Sequence, residues 1–192
     1  MNLKALALDV AKRAASALLG EYSAYFIYQS PRSQPGAVAQ FIVRAVEPAE
    51  LQRSEVGLVR DQAGYMGEEA LGFACVEGGR ILGLCFYWYG DRYRQRNFWP
   101  LAPGQAKLVQ IITLPEARGR GVATELIRLS MASVTAAGFT RAYARVWHSN
   151  TASYRAFERA GWQRIALVAE VHPLRLAKLW RFAIRLGGSV NS

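Results

Sequence analysis

Leu108-Val109-Gln110-Ile111-Ile112-Thr113-Leu114-Pro115-Glu116-Ala117-Arg118-Gly119-Arg120-Gly121-Val122-Ala123 decides the reading of this chain. The apolar run from Leu108 to Leu114 has the composition of a buried strand, and Pro115 breaks it. A short basic turn with two glycines follows, and then a helix. Such a turn suits an anion. Glycines let the backbone come close, the helix points unpaired N–H groups outward, and its dipole adds partial positive charge. The Arg118 to Ala123 turn therefore reads as a seat for pyrophosphate.

Further along, Arg141 to Trp147 alternates like a strand. Asn150-Thr151-Ala152-Ser153-Tyr154-Arg155-Ala156-Phe157-Glu158-Arg159-Ala160-Gly161-Trp162 then opens a helix and closes it on glycine and an aromatic. With both stretches in order, the chain resembles the GCN5-related N-acetyltransferase (GNAT) family over roughly Phe41 to Val171. The family's coenzyme A loop has the form Arg/Gln-x-x-Gly-x-Gly/Ala, matched by Arg118, Gly121 and Ala123. Its later segment has Asn at the helix start and Gly-aromatic at the end, matched by Asn150, Gly161 and Trp162.

The resemblance implies a twisted mixed sheet that splays where two central strands part, with the thioester arm of the acyl donor in the gap. Backbone groups around Ile111, Ile112 and Thr113 would hold the pantetheine arm like an added strand. Amides of Gly119, Arg120, Gly121, Val122, Ala123 and Thr124 would hold the pyrophosphate, with charge from Arg118 and Arg120. Asn150 would bond the donor arm from the other side, although asparagine there serves equally as a plain helix N-cap.

The family also carries a tyrosine on this last helix as proton donor, and often a carboxylate on or near the central strands as base. Here the pattern departs. Phe157 holds the tyrosine's position and is counted with the donor-binding residues. Gln110 stands near the acid's place. The catalytic candidates are then Tyr154, close to one turn before Phe157 on the same helix face, His148 just before the motif asparagine, and Glu69.

A chain of 192 residues fits one elaborated domain with a sizeable core. Its 24 Lys and Arg against 14 acids leave a net charge of +10, which favours polyanionic partners, and acyl-CoA is one. Nucleic acid is disfavoured, because zinc-finger spacing and aromatic RNA-binding strands are lacking. No histidine and cysteine cluster suggests a metal. For Cys75 and Cys85, a hairpin turn at Gly78-Gly79 would set Cys75 against Leu82 and leave Cys85 off register on the opposite face, so no disulfide is expected. Asp9 and Lys12-Arg13 interrupt any signal-peptide core, and no stretch reaches the roughly 18 apolar residues of a membrane span. Together with the resemblance, this implies a cytoplasmic enzyme, with peripheral membrane contact as the alternative.

Taken in order, Leu3 to Leu19 reads as an amphipathic helix, Tyr22 to Tyr28 as an aromatic strand or cover, and Pro31 to Gly36 as a linker. Residues 1–36 are set apart as an extension. Phe41 to Ala45 is a strand, Pro48 starts a helix, and Gly64 to Gly72 is a loop with Glu68 and Glu69. Phe73 to Val76 and Ile81 to Tyr89 form a hairpin, and Asp91 to Pro100 is a basic, aromatic loop suited to substrate contact. A helix runs from about Val122 to Ala137 and a strand from Trp162 to Val171. After Pro173, Leu174 to Leu186 reads as a basic amphipathic helix able to lie on an anionic membrane or a partner.

The expected fold is α/β, a GNAT-like splayed mixed sheet flanked by helices, with residues 37–172 as the acyltransferase domain and terminal helical extensions at 1–36 and 173–192. The expected function is transfer of an acetyl group from acetyl-CoA to a primary amine by direct attack, with no metal. Two alternatives stand beside it. One is a longer acyl donor, on CoA or a carrier protein, received by Tyr87, Trp88, Tyr89, Trp99 and the aromatic N-terminal run; the other is a non-catalytic module binding CoA or a membrane. The acceptor and the oligomeric state are not legible, but the charge leans toward an anionic acceptor over a polycation.

Overall fold

β-Branched and aromatic residues recur in every described strand of this chain, and those strands share one sheet. The computed structural model describes residues 21–32, 39–172 and 180–186. Its strands are β1 (Glu21–Gln29), β2 (Ile42–Ala45), β3 (Ala70–Glu77), β4 (Arg80–Trp88), β5 (Gln105–Thr113), β6 (Arg141–Trp147), β7 (Gln163–His172) and β8 (Trp180–Arg185). They join in a single mixed sheet in the order β2-β3-β4-β5-β6-β1-β7-β8. Among the described residues, four α-helices accompany them: α1 (Pro48–Gln52), α2 (Gly57–Arg60), α3 (Val122–Ala136) and α4 (Thr151–Arg159).

Helices cover both faces. Along β4, Cys85 and Tyr87 join the cluster under α3 and α4 with Leu126, Ile127, Met131 and Phe157, while Leu84 and Phe86 join Leu51 and Val59 of α1 and α2 on the other face. A third cluster, around Tyr25, Ile27 and Val168, lies under Phe98 of the loop that follows β4. None of the described helices is long and apolar enough to cross a membrane.

The expected β3–β4 hairpin forms, with Glu77 opposite Arg80. One extra residue in β4, Leu82, then shifts the pairing so that Cys75 opposes Gly83 and Phe73 opposes Cys85. This corrects the expected register: both cysteines face the α3 side, in one cluster, and remain free thiols.

One alternative is settled and one further expectation changes. Of the two readings of the aromatic run near the N-terminus, the strand holds and the cover does not. This run is β1, an interior strand antiparallel to both β6 and β7, with Tyr25, Ile27 and Tyr28 fully buried. The last segment is not helical where it is described. Trp180–Arg185 is β8, paired antiparallel with β7. Its alternation of Trp180, Phe182 and Ile184 with Arg181, Ala183 and Arg185 satisfies a strand as well as a helix. An open edge on β7 favours the strand. The expected helix at Leu3 to Leu19, most of the linker and residues 173–179 lie outside the described residues.

Candidate active site

The site begins where two strands part. β5 and β6 pair in parallel over only four positions, from Gln105 with Arg141 to Leu108 with Ala144. Beyond them β5 stays with β4 as far as Thr113, while β6 stays with β1 as far as Trp147. The parting has a local cause. Val109 is an extra residue in β5, since Tyr87 pairs with Leu108 and Phe86 with Gln110, and such a bulge bends its strand and sharpens the twist. A cleft opens there. It spans about 170 Å³ and is lined by Arg96, Gln110, Ile111, Arg145, Ser153 and Phe157, among others.

Outward, on the α3 side, the cleft runs into a larger cavity of about 610 Å³, and Ile111, Asn150 and Ser153 belong to both walls. The floor of the cavity is the turn between β5 and α3. Gly119 and Gly121 take φ values of 76° and 86°, in the left-handed region that only glycine enters freely. Gly121 is the N-cap of α3 and offers no side-chain cap, so the first amides of that helix keep their donors for a ligand. Nothing lies within 4 Å of a Cβ built at either glycine, so the approach to the turn is open. An oxyanion, backbone donors and a helix dipole fit one another here.

Of the donor-binding candidates, Ile111, Ile112, Thr113, Arg118, Gly119, Gly121, Val122, Ala123, Thr124 and Asn150 all line the outer cavity, and Phe157 lines the inner cleft. Arg120 does not. Its guanidinium turns to the β3–β4 hairpin, where it pairs with Glu77 at 2.7 Å and lies 5.5 Å over the Phe41 ring. Asn150 does cap α4, its side-chain oxygen accepting the Ser153 amide at 3.1 Å, which leaves its NH₂ as a donor toward the cavity it lines. Two cations missed in the sequence, Arg155 and Arg159, share the cavity wall with Arg118. Their one-turn spacing on α4 was the available signal.

The three catalytic candidates are not brought together, and none lines the cleft or the cavity. The Glu69 carboxylate accepts the amides of Asp91 and Arg92 at 2.7 and 2.8 Å, fixing the start of the loop after β4. The His148 ring nitrogen Nδ1 bonds the Ala24 carbonyl at 3.1 Å beside β1. Tyr154 packs on the core with the Arg164 guanidinium 4.9 Å over its ring. Gln110 does line the cleft, donating to Gln62 at 3.1 Å.

Phe157, where a tyrosine was the family expectation, is buried between Tyr28 at 5.4 Å and Trp162 at 5.1 Å. Behind the cleft lies Lys107, fully buried, its ammonium 3.3 Å from Asn97 Oδ1 and 4.3 Å over the Tyr93 ring. Burial, followed by the charges of Arg181 and Arg145, pulls its pKa down to about 7.

The profile of the acetyltransferase (GNAT) family matches residues 37–162, and the chain belongs to that family. No curated protein matches it. Three solved structures show the fold. A GNAT acetyltransferase from Novosphingobium aromaticivorans superposes with a TM-score of 0.56 at 16% identity, over 79% of this chain and 64% of its own. One from Colwellia psychrerythraea gives 0.57 at 14% identity, over 85% of this chain and 61% of its own. One from Sphaerobacter thermophilus gives 0.53 at 18% identity, over 93% of this chain and 57% of its own. The chain thus spans less than two thirds of the length of each.

Proposed function

We propose that this protein transfers an acetyl group from acetyl-CoA to a primary amine by direct attack on the thioester. The observation that carries the reading is the parting of β5 from β6 beyond Leu108 and Ala144, with the unpaired amides of α3 at its outer end. In this reading the pyrophosphate sits on the turn from Gly119 to Thr124, with Arg118, Arg155 and Arg159 adding charge. The pantetheine arm lies along Ile111 to Thr113 with Asn150 opposite, and the thioester reaches the inner cleft beside Phe157.

Chemistry on this chain's own residues follows. An amine attacks only when unprotonated, and no carboxylate lines the inner cleft among the described residues. Arg96 and Arg145 supply the alternative, since positive charge beside an ammonium lowers its pKa and favours the neutral amine. The same charges stabilise the departing thiolate, whose ordinary pKa is about 8.5. Cysteine relay is disfavoured: both thiols are buried, and desolvation pushes Cys75 up to about 11 and Cys85 up to about 12.

A short acyl group is favoured by the aromatics proposed for a longer one. Tyr87 is buried with its hydroxyl on Ser130 at 2.9 Å, Trp88 donates to the Tyr65 carbonyl at 2.8 Å, Tyr89 packs on Phe139 and Trp99 on Tyr143. All are engaged away from the cleft wall.

Thermal unfolding with CoA, acetyl-CoA and longer acyl-CoAs tests the reading, since a ligand of the folded state raises Tm by mass action. Acetyl-CoA is expected to stabilise the wild type by about 2.7 kcal/mol at a hundred times its Kd. Gly121→Glu, which puts a carboxylate on a left-handed N-cap facing the phosphates, is expected to abolish that stabilisation. A folded Gly121→Glu protein with unchanged affinity rejects the assignment.

A further inference from the structure

Resting on the acyltransferase reading, we infer that the acceptor amine also carries an anionic group, a carboxylate or a phosphate, and that Arg145 and Arg96 hold it at the mouth of the inner cleft. Both side chains line that cleft, and the described wall holds no acid to balance them. Six other described arginines pair with carboxylates, among them Arg44 with Glu50, Arg120 with Glu77, Arg128 with Glu125, Arg164 with Glu158 and Arg181 with Glu170, whereas Arg145 and Arg96 stand on a cleft wall without one. Arg145 has no carboxylate partner among the described residues. It is held by rings instead, lying 4.8 Å over Trp147, 5.3 Å over Tyr25 and 5.5 Å over Phe98. Arg96 is similarly set over Tyr65 at 5.1 Å and Trp88 at 5.7 Å, with single bonds to the Tyr65 hydroxyl and the Val109 carbonyl.

Aromatic stacking fixes a guanidinium plane while leaving N–H donors for a planar or tetrahedral oxyanion. A purely packing arginine does not need a cleft wall free of acids. Lys107 lies in the same region, its pKa lowered first by burial and then by the charges of Arg181 and Arg145. A polycationic acceptor entering here meets like charge, which costs affinity and association rate. An anion meets a prepared site and presents its own amine to the thioester in the adjoining cleft.

The experiment measures CoA release from acetyl-CoA with three sets of amines: amino acids, phosphate-bearing amines such as phosphoethanolamine and glucosamine 6-phosphate, and anion-free amines such as spermidine and cadaverine. Turnover of a carboxylate or phosphate set over the anion-free set is expected, and the two anionic arms separate the two sources. For the preferred amine, Arg145→Gln should raise KM about tenfold or more with the acetyl-CoA KM unchanged, and Arg145→Lys should recover part of it. Turnover confined to anion-free amines, no turnover of any anionic amine, or an Arg145→Gln KM equal to wild type overturns the inference. Acetyl-CoA binding, read separately by thermal shift, judges the acyltransferase reading itself.

Discussion

The two halves of the sheet are built in opposite ways. β2, β3, β4 and β5 are neighbours in sequence and in space, an antiparallel meander in chain order. β6, β1, β7 and β8 are gathered from distant parts of the chain, with β1 inserted between two strands that follow it by more than a hundred residues. The halves touch through four parallel pairs, and the candidate site occupies the seam where those pairs stop. A meander is a stiff local platform; its partner half positions β6 and α4 only if a remote strand arrives. Cleft geometry therefore depends on β1, which contributes no donor-binding candidate of its own.

The largest expected effect comes from breaking that dependence. A chain shortened to start at residue 37, where the family profile begins, loses β1 and leaves β6 and β7 without their common partner. Tyr25, Ile27 and Tyr28 are each fully buried, worth about 1.5–3 kcal/mol apiece in burial alone, against a total stability of about 5–15 kcal/mol for a domain. Circular dichroism and thermal melting are expected to show loss of cooperative folding. A shortened protein that melts like the full chain removes the contrast between the halves.

Legibility in the sequence divides along the same seam. The β5 turn, the α3 helix, the β3–β4 hairpin and the β6–α4 pair could be read because each is signalled within a few residues by proline, glycine, an asparagine cap or alternation. β1 had strand-like residues, but nothing local says that its partners are β6 and β7. β8 was misread because a six-residue run that alternates apolar and basic residues satisfies both periods, and pairing with β7 decides between them. Site residues followed suit. The place of the glycine turn beside the cavity was legible. The placement of Arg120, Glu69 and His148 was not, because Glu77, the amides after Gly90 and the Ala24 carbonyl hold them across the fold.

Lys107 sharpens the comparison, since it lies in the seam opposite Tyr143 and under the loop that carries Arg96. In the unfolded chain this lysine holds its proton up to about pH 10.4, whereas in the fold it releases it near 7. Between those values the unfolded state binds more protons, so stability rises with pH. Below about 7 both states are protonated and the buried charge costs its full amount. Lys107→Met removes this dependence. Its Tm relative to wild type should be most favourable at pH 6 and should decline steadily from pH 7 to 9. A difference that stays flat over that range means the ammonium is not desolvated in the seam.

The smallest expected effect concerns Tyr154, whose place on α4 tests whether that helix sits as the seam requires. Ser153 and Phe157 line the cleft from α4, and Arg155 and Arg159 line the outer cavity, which leaves Tyr154 directed away from both. Its ring packs on the core beneath Arg164, and its hydroxyl has no hydrogen-bond partner among the described residues. Positioned acid catalysis is worth about 10²-fold or more, so a hydroxyl that donates to the thiolate would betray itself in turnover. Tyr154→Phe keeps the ring and the stacking and removes only the oxygen. Turnover and CoA affinity are expected to stay near wild type, with stability changed by no more than about 0.5 kcal/mol. A hundredfold loss of kcat at unchanged CoA affinity would mean that α4 rotates by about 60° and shifts along its axis when the donor binds, bringing Tyr154 to the sulfur in place of Phe157.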